Sequence, residues 1–214
     1  MTLVLHNYFR SSTSTRVRAA LNLKGLEYEN VSHALLKDEH RSAEHLALNP
    51  QGLVPTLVTD HGPLPQSLAI IEWLDEVHPQ PPLLPADAWG RARVRSLAHI
   101  IALDVHPVNN LRILKHLETE YGVDADGKAA WFRKWAADGM ASLEARLSSE
   151  PETGTFCHGE APGLADLCLF AQVLNNERFG VGLDACPTIA RIHAACMALP
   201  AFERAAPANQ PDAV

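Results

Sequence analysis

The sequence predicts an α/β domain followed by an all-α domain. Short apolar runs alternate with helical patterns through the first third of the 214 residues, and this alternation is typical of an α/β unit. A proline-rich segment follows at residues 79–87, and beyond it apolar residues recur with the helical period. We therefore expect one domain at residues 1–80 and a second at residues 87–214.

The predicted order of elements in the first domain is thioredoxin-like. It begins with a strand at 2–5 and a helix at 15–24, which Gly25 closes as a C-cap. The next predicted elements are a strand at 28–31, a helix at 39–48, a strand at 54–58 and a helix at 67–76. Pro63 and Pro65 interrupt the strand expected before the last helix, and Ser67 is expected to cap that helix.

Four amphipathic segments predict that the second domain is all-α. They lie at residues 88–120, 128–148, 164–178 and 188–198, and no strand pattern separates them. Asp166 is expected to accept hydrogen bonds from the first turn of its own helix. The tail at 205–214 is predicted to be irregular.

Composition and charge exclude two classes of function. The formal net charge of −7 argues against a general nucleic-acid binder or membrane-surface binder. No apolar run approaches the roughly 20 residues that span a bilayer. The first apolar run meets His6 and Arg10 too early for a signal peptide, so we expect a cytoplasmic protein.

The cysteines and histidines predict neither disulfides nor a metal site. All four cysteines lie in the last third of the chain without a Cys-x-x-Cys pair, so we expect them to be reduced and buried. The first 156 residues therefore offer no thiol. The eleven histidines, His33, His40 and His45 among them, lack the spacing of known ligand motifs, and we expect no metal.

Residues 9–18 predict an anion-binding site. A hydroxyl-rich turn with three arginines follows a strand and opens a helix. A helix N-terminus offers unpaired backbone N–H groups and the positive end of the helix dipole. The anion could be a phosphate, a carboxylate or a thiolate, and a thiolate would have to come from a ligand because no cysteine is near in sequence.

Two further features of the first domain allow a structural or a ligand-binding role. Pro55 is either a simple edge-strand proline or a cis proline that turns the Val54 N–H and C=O outward, where they can pair with an extended peptide. Ser67 caps its helix, and a ligand carboxylate could share that N-terminus beside Gln66.

A polar cluster is predicted around Pro107 in the second domain. A proline within a helix costs about 3 kcal/mol and leaves a carbonyl unpaired. His106 and Asn110 share one helix face at i,i+4, and Asn109 meets Arg112 at i,i+3. The cluster is either a satisfied internal network or the lining of a pocket for an acidic ligand.

Together, these motifs resemble the zeta class of the cytosolic glutathione transferases over nearly the whole chain. Residues 11–18 are similar to the zeta signature, in which two serines, a cysteine and two arginines open the first helix. Residues 49–57, 66–74 and 106–112 resemble further zeta motifs, and the last is typical of the maleylacetoacetate and maleylpyruvate isomerases. Thr13 stands where the family has cysteine, which excludes a mechanism that uses a protein thiol. Gly163 replaces the usual Ser or Thr before the helix of Asp166.

The resemblance implies that glutathione is the cofactor and lies as an extra strand beside Val54, with Ser11 as the donor to its sulfur and Ser12 as the alternative. The implied catalytic residues are Arg10, Ser11, Arg112 and Arg178. The implied glutathione-binding residues are Ser11, Ser12, Thr13, His40, Val54, Pro55, Gln66, Ser67, His106, Asn110 and Arg112. Arg16 and Arg18, further into the helix, are expected to be structural ion-pair partners.

The implied reaction is the glutathione-dependent cis–trans isomerisation of maleylpyruvate or maleylacetoacetate in aromatic-compound catabolism, carried out by a homodimer. A thiolate adds to the cis double bond, the bond rotates, and glutathione is eliminated unchanged. The alternatives are a conjugating transferase or α-haloacid dehalogenase of the zeta type, and a binding protein that keeps only the fold. Retention of Arg10, Ser11, Gln66, Ser67 and Arg112 argues against the last.

Overall fold

A computed structural model describes residues 2–213 of the chain. Contacts between residues divide it into two compact units. The first runs up to Leu83 and resumes at Met197, and the second spans Leu84–Cys196. The first is an α/β unit with the thioredoxin-like order of elements and the second is helical, so the predicted fold class is confirmed.

A four-stranded mixed sheet organises the first unit. Its strands are β1 (Val4–Asn7), β2 (Glu29–Ser32), β3 (Thr56–Thr59) and β4 (Gly62–Pro65), in the order β2-β1-β3-β4. β1 is parallel to β2 and antiparallel to β3, so Leu5 lies opposite Leu57 and both are fully buried. Pro63 and Pro65 were expected to interrupt β4 but do not, because an edge strand tolerates residues that cannot donate to the ladder.

Four helices complete the first unit: α1 (Ser12–Leu23), α2 (Ala43–Leu48), α3 (Ser67–Val77) and α9 (Pro200–Ala205). The predicted helix at 39–48 is divided into a 3₁₀ turn, Glu39–Arg41, and α2. Ser42 causes the division, since its extended backbone lets the side chain accept a hydrogen bond from the His45 N–H at 3.2 Å.

The C-terminal segment packs with the first unit, whereas the sequence predicts it in the helical domain. α9 lies against α1, and Arg18 binds the Ala205 carbonyl oxygen through Nε at 3.2 Å and Nη2 at 3.0 Å. The sequence does not predict α9, because six residues are too few to show a helical period. The predicted irregular tail contains one 3₁₀ turn at Pro207–Asn209.

The second unit is formed by α4 (Ala88–His99), a π-helical turn (Ile100–Val105), α5 (Leu111–Tyr121), α6 (Ala125–Ser149), α7 (Leu164–Glu177) and α8 (Pro187–Met197). The single helix predicted at 88–120 is divided by the π-helical turn and by Pro107, which lacks the N–H needed to continue a helix. The core is aliphatic and aromatic, with Leu97, Phe132 and Leu167 fully buried.

Two smaller predictions for the second unit are confirmed. Asp166 accepts hydrogen bonds from the Gly163 N–H at 2.9 Å and from the Cys157 N–H at 2.8 Å. All four cysteines are free and buried, and burial raises the pKa of the Cys157 thiol well above its usual value. Among the described residues, no helix is long and apolar enough to cross a membrane.

Candidate active site

Ser11 occupies the N-cap of α1, where the sequence predicts an anion site. Its backbone is extended, and its Oγ accepts a hydrogen bond from the Ser14 N–H at 3.2 Å. The first turn of α1 contains no acidic residue, so the positive end of the helix dipole is not neutralised within the helix. Ser11 is half-buried and Ser12 is buried, which makes Ser11 the more accessible hydroxyl.

A chain of hydroxyl groups connects Ser11 with the segment before β3. Thr13 donates its Oγ1 hydrogen to the Val54 carbonyl oxygen at 3.1 Å, and the Ser11 Oγ lies 2.8 Å from the Thr13 Oγ1. Because a hydroxyl has one hydrogen, Thr13 can only accept in its contact with Ser11. Ser11 is therefore the donor of this pair, and a stronger acceptor such as a thiolate can take its hydrogen without breaking the Thr13–Val54 bond.

The peptide bond between Val54 and Pro55 is cis. This was one of two alternatives left open by the sequence. The Val54 carbonyl is occupied by Thr13, while within residues 2–213 the Val54 N–H has no hydrogen-bond acceptor. A buried or partly buried N–H normally has a partner, so this N–H is suited to pairing with an extended ligand.

The start of α3 differs from the prediction for Ser67. Gln66, not Ser67, is the N-cap residue, and no side chain caps the helix. Gln66 has φ of 75°, a conformation that costs roughly 1–3 kcal/mol and is concentrated at ligand sites. Its Nε2 donates to Gln51 Oε1 at 2.9 Å. The buried Ser67 is the first residue of the helix, so the uncapped N–H groups of this turn can receive a carboxylate.

Two other residues implied by the resemblance, Arg10 and His40, lie in the first unit. Arg10 precedes the cap of α1, half-buried, with its guanidinium 4.8 Å from the centre of the Phe9 ring. His40 is buried in the 3₁₀ turn before α2. Asp212 was missed by the sequence analysis, although its Oδ2 accepts hydrogen bonds from the Phe9 N–H at 3.1 Å and from the Ser32 hydroxyl. It thereby holds the turn that leads into α1.

The polar cluster of the second unit lies between the π-helical turn and α5. The predicted contact of His106 with Asn110 is present, with Nε2 and Nδ2 3.4 Å apart. Asn110 is the N-cap of α5 and its Oδ1 accepts from the Arg112 N–H at 3.1 Å. Arg112 is an exposed residue in the first turn of this helix, so an anionic ligand can reach its side chain. π-helical turns are frequent at functional sites.

One predicted feature of this cluster is corrected. Asn109 does not pair with Arg112, because its Nδ2 donates to the Phe132 carbonyl oxygen at 3.2 Å and the side chain is buried against α6. Arg178 is exposed at the end of α7, with Nη1 3.2 Å from Asn175 Oδ1. Its guanidinium also lies 5.7 Å from the Phe179 ring centre, which limits its freedom.

Comparisons with known proteins identify the family. The glutathione S-transferase N-terminal domain model matches residues 5–82. The chain is 50% identical to a maleylpyruvate isomerase of Ralstonia over 97% of this chain and 98% of that protein. It is 48% identical to the maleylacetoacetate isomerase of Rhizobium meliloti, over 95% of each chain. A solved maleylpyruvate isomerase, described as a bacterial zeta-class glutathione S-transferase, superposes with a TM-score of 0.97 at 49% identity, covering 99% of this chain and 100% of the other. The chain belongs to the zeta-class glutathione transferases.

Two maleylacetoacetate isomerases similar to this chain have been solved with ligands. The maleylacetoacetate isomerase of Anaeromyxobacter dehalogenans, with glutathione in its active site, has a TM-score of 0.88 and 44% identity, covering 100% of this chain and 98% of the other. The enzyme of Methylobacterium extorquens, with malonate and glutathione bound, has a TM-score of 0.96 and 42% identity over 99% of each chain. Glutathione is thus bound in the solved structures of both relatives.

Proposed function

We propose that the chain catalyses the glutathione-dependent cis–trans isomerisation of a maleyl keto acid, maleylpyruvate or maleylacetoacetate, in the breakdown of aromatic compounds. The observation that carries the proposal is identity of 50% and 48%, over nearly the full length, to isomerases of these two substrates. The catalytic residues are those implied by the sequence: Arg10, Ser11, Arg112 and Arg178.

The residues of the first unit fit glutathione. The Val54 N–H and the N–H groups in the first turn of α3 have no hydrogen-bond partner among the described residues, and they suit the peptide backbone and a carboxylate of glutathione. The hydroxyl hydrogen of Ser11 can leave Thr13 and bind the sulfur instead. Gln66 and Ser67 would bind the γ-glutamyl carboxylate, and Val54 and Pro55 would pair with the extended peptide.

Ser11 has the properties required to stabilise a thiolate. A thiol of pKa near 8.5 is only a few per cent ionised at pH 7, and lowering that pKa by two units requires about 2.7 kcal/mol. One hydrogen bond to a charged group contributes roughly 1.5–3 kcal/mol and a helix N-terminus about 0.3–1 kcal/mol. The Ser14 N–H that donates to Ser11 Oγ polarises the hydroxyl, so Ser11 is the proposed donor and Ser12 the less accessible alternative.

The arginines provide charge for an acidic substrate on a chain whose net charge is −7. Bound glutathione supplies a thiolate that adds reversibly to the double bond, so that the carbon–carbon bond can rotate and glutathione leaves unchanged. Arg112 and Arg178 would bind the carboxylates of the substrate, and Arg10 would stabilise negative charge that develops on its keto oxygen. His106 and Asn110 would orient the bound ligands, and His40 and Thr13 would complete the glutathione site.

The proposal is tested with maleylpyruvate, maleylacetoacetate and dichloroacetate, each with and without glutathione. We expect isomerisation of a maleyl substrate only when glutathione is present, with glutathione recovered unchanged. A rate that does not depend on glutathione would contradict the mechanism. Turnover of dichloroacetate without isomerisation would instead support the dehalogenase alternative, and comparison of kcat/KM for the two maleyl compounds assigns the substrate.

We further propose that the protein is a homodimer in the cytoplasm. Large apolar side chains remain exposed in each unit, including Val77 at 42% and Trp89 at 75% exposure, and such surfaces favour association. Four free cysteines suit a reducing compartment. Light scattering during gel filtration should give twice the 23.4 kDa mass of one chain; the mass of a single chain would contradict the dimer.

A further inference from the structure

Three histidines that are distant in sequence lie together in the first unit. They are His6 in β1, His33 just after β2, and His45 in α2, and one ring nitrogen of each lies within 4.8 Å of the others. The parallel pairing of β1 with β2 continues to His33, whose N–H donates to the Asn7 carbonyl oxygen at 2.8 Å. The Ser42 cap sets the start of α2 and thereby the position of His45.

His45 has the hydrogen-bonding pattern of a metal ligand. Its Nε2 lies 3.0 Å from the Leu53 carbonyl oxygen, which can only accept, so Nε2 carries the hydrogen and Nδ1 a lone pair. The side chain is 1% exposed, and Nδ1 has no hydrogen-bond partner among the described residues. In metal sites, the ring nitrogen that does not bind the ion usually donates to a carbonyl or carboxylate in this way.

The other two histidines present a second and a third nitrogen. His6 Nδ1 lies 2.9 Å from His33 Nε2. One of these two facing nitrogens carries the hydrogen that they share, and a shift of this hydrogen to the other nitrogen of its own ring leaves a lone pair on both. This change of tautomer conserves the number of protons, so metal binding by the three rings releases none.

The distances suit a tetrahedral ion. Zinc–nitrogen bonds of 2.0–2.1 Å place neighbouring ligand nitrogens about 3.3 Å apart. The observed separations, from 2.9 Å for His6 and His33 up to 4.8 Å across the cluster, bracket this value. Burial and the neighbouring rings lower the pKa values of both His6 and His33, which favours the neutral imidazole that binds metal ions. The Glu39 carboxylate acts electrostatically on His33 and provides part of the counter-charge for a cation.

We propose that His6, His33 and His45 form a binding site for a divalent transition-metal ion of the zinc type, with its fourth position open to water. The sequence analysis expected no metal site because the histidine spacing along the chain matches no known ligand motif. The fold nevertheless brings three of these histidines together. The proposal is independent of the isomerase function, since none of these residues is assigned a role in glutathione or substrate binding.

Calorimetric titration of the metal-free protein with Zn²⁺ tests the site. Glutathione is omitted, because its thiol binds zinc. We expect one Zn²⁺ per chain, and an affinity at least about tenfold lower for His33→Ala, which removes one of three ligands. His61→Ala is the matched control, since His61 is exposed in the turn between β3 and β4, and it should bind as the wild type does.

Two spectroscopic readouts keep the test independent of how the variants fold. Co²⁺ added to the wild-type protein should show the absorption of a tetrahedral ion with nitrogen ligands, and Zn²⁺ should shift the ¹⁵N resonance of His45 Nδ1. Absence of stoichiometric binding up to about 1 mM Zn²⁺, an octahedral Co²⁺ spectrum, or unchanged affinity in a folded His33→Ala protein would each overturn the proposal.

Discussion

The hydroxyl group of Ser11 serves both the helix and the proposed chemistry. Its oxygen accepts from the Ser14 N–H, and its hydrogen faces Thr13 Oγ1. Thr13 remains bound to the Val54 carbonyl whichever way Ser11 donates. The threonine found in place of the family cysteine thus connects the start of α1 to the segment before β3, a role that a thiol, as a weak donor, would perform less well.

We expect Ser11→Ala to raise the pKa of bound glutathione by about 1–2 units, since the mutation removes a hydrogen bond to the charged sulfur. The ultraviolet absorbance of the bound thiolate, followed against pH, measures this pKa. At neutral pH kcat should fall about tenfold or more. An unchanged thiolate pKa would assign the donor to Ser12 or to the backbone.

Ser42→Ala is the matched control for Ser11→Ala. Ser42 caps α2 with the geometry that Ser11 has at α1, because each Oγ accepts from a backbone N–H three residues on at 3.2 Å. Both substitutions should reduce the free energy of unfolding by about 1 kcal/mol. Only Ser11→Ala should change the pKa of the thiol, which separates loss of a cap from loss of a thiolate donor.

At the level of elements, α1 is fixed by a fully buried arginine. Arg18 donates to Asn7 Oδ1, Thr15 Oγ1 and the carbonyl oxygens of Tyr8 and Phe9, in addition to Ala205. The predicted structural role of Arg18 is confirmed, but its direct partners are uncharged oxygens, whereas the sequence predicts an ion pair. Burial lowers its pKa to about 10, so the guanidinium is charged at neutral pH.

Arg18→Met should lower the free energy of unfolding by about 3 kcal/mol, because several buried oxygens lose their donor. Urea denaturation measures the change. Arg204→Met, at an exposed arginine of α9, is the control and should change stability by no more than about 0.5 kcal/mol. Equal effects of the two substitutions would show that α9 does not depend on the Arg18 contacts.

His193 should make α8 sensitive to acid. Burial lowers its pKa below the usual value of 6.5, and its ring stacks on Phe170 with centroids 5.7 Å apart. As pH falls from 7 to 5, this histidine takes up a proton more readily in the unfolded chain than in the folded chain. The free energy of unfolding therefore decreases. His193→Phe should lose less stability than the wild type over this range in urea titrations at each pH. If the unfolding free energies of His193→Phe and the wild type fall equally with pH, His193 is not the source of the acid sensitivity. His116→Phe is the control, because His116 is exposed, and its pH dependence should match that of the wild type.

For the molecule as a whole, the two units contribute different proposed ligand contacts. The first unit provides two helix N-termini and the Val54 N–H, which suit a peptide that carries a carboxylate and a thiolate. The second provides Arg112 and Arg178, exposed cations near helix ends, which suit an acidic substrate. Loss of a cation from the second unit should therefore affect the diacid more than it affects glutathione.

Arg112→Ala tests this division. We expect KM for the maleyl substrate to rise at least about tenfold, since a charged hydrogen bond to a carboxylate contributes roughly 1.5–3 kcal/mol. KM for glutathione should change far less. Arg191→Ala, at an exposed arginine of α8 that donates to the Thr155 carbonyl, should leave both values unchanged. Equal increases in both KM values for Arg112→Ala would place Arg112 in the glutathione site.

The sequence was sufficient where local physical chemistry decides the structure. Apolar periodicity predicts the order of strands and long helices, and the position of Asp166 predicts its hydrogen bond with the Gly163 N–H, three residues earlier in the chain. The sequence-based prediction was wrong at Ser67. Serine is a preferred capping residue, but Gln66, with a positive φ, is the N-cap of α3. Such a conformation is imposed by the surrounding structure, so propensity cannot predict it.

Residue types and their spacing were enough to predict the two structural classes, the family, and the hydroxyl and arginine motifs. The packed fold was needed to show which of these groups can still form a hydrogen bond with a ligand, and which residues distant in sequence come into contact. Asp212 reaches Phe9, Ala205 accepts from Arg18, and three histidines meet beside β1. Contacts of this kind are fixed by the packing of the sheet and helices, and they leave no periodic trace in the chain.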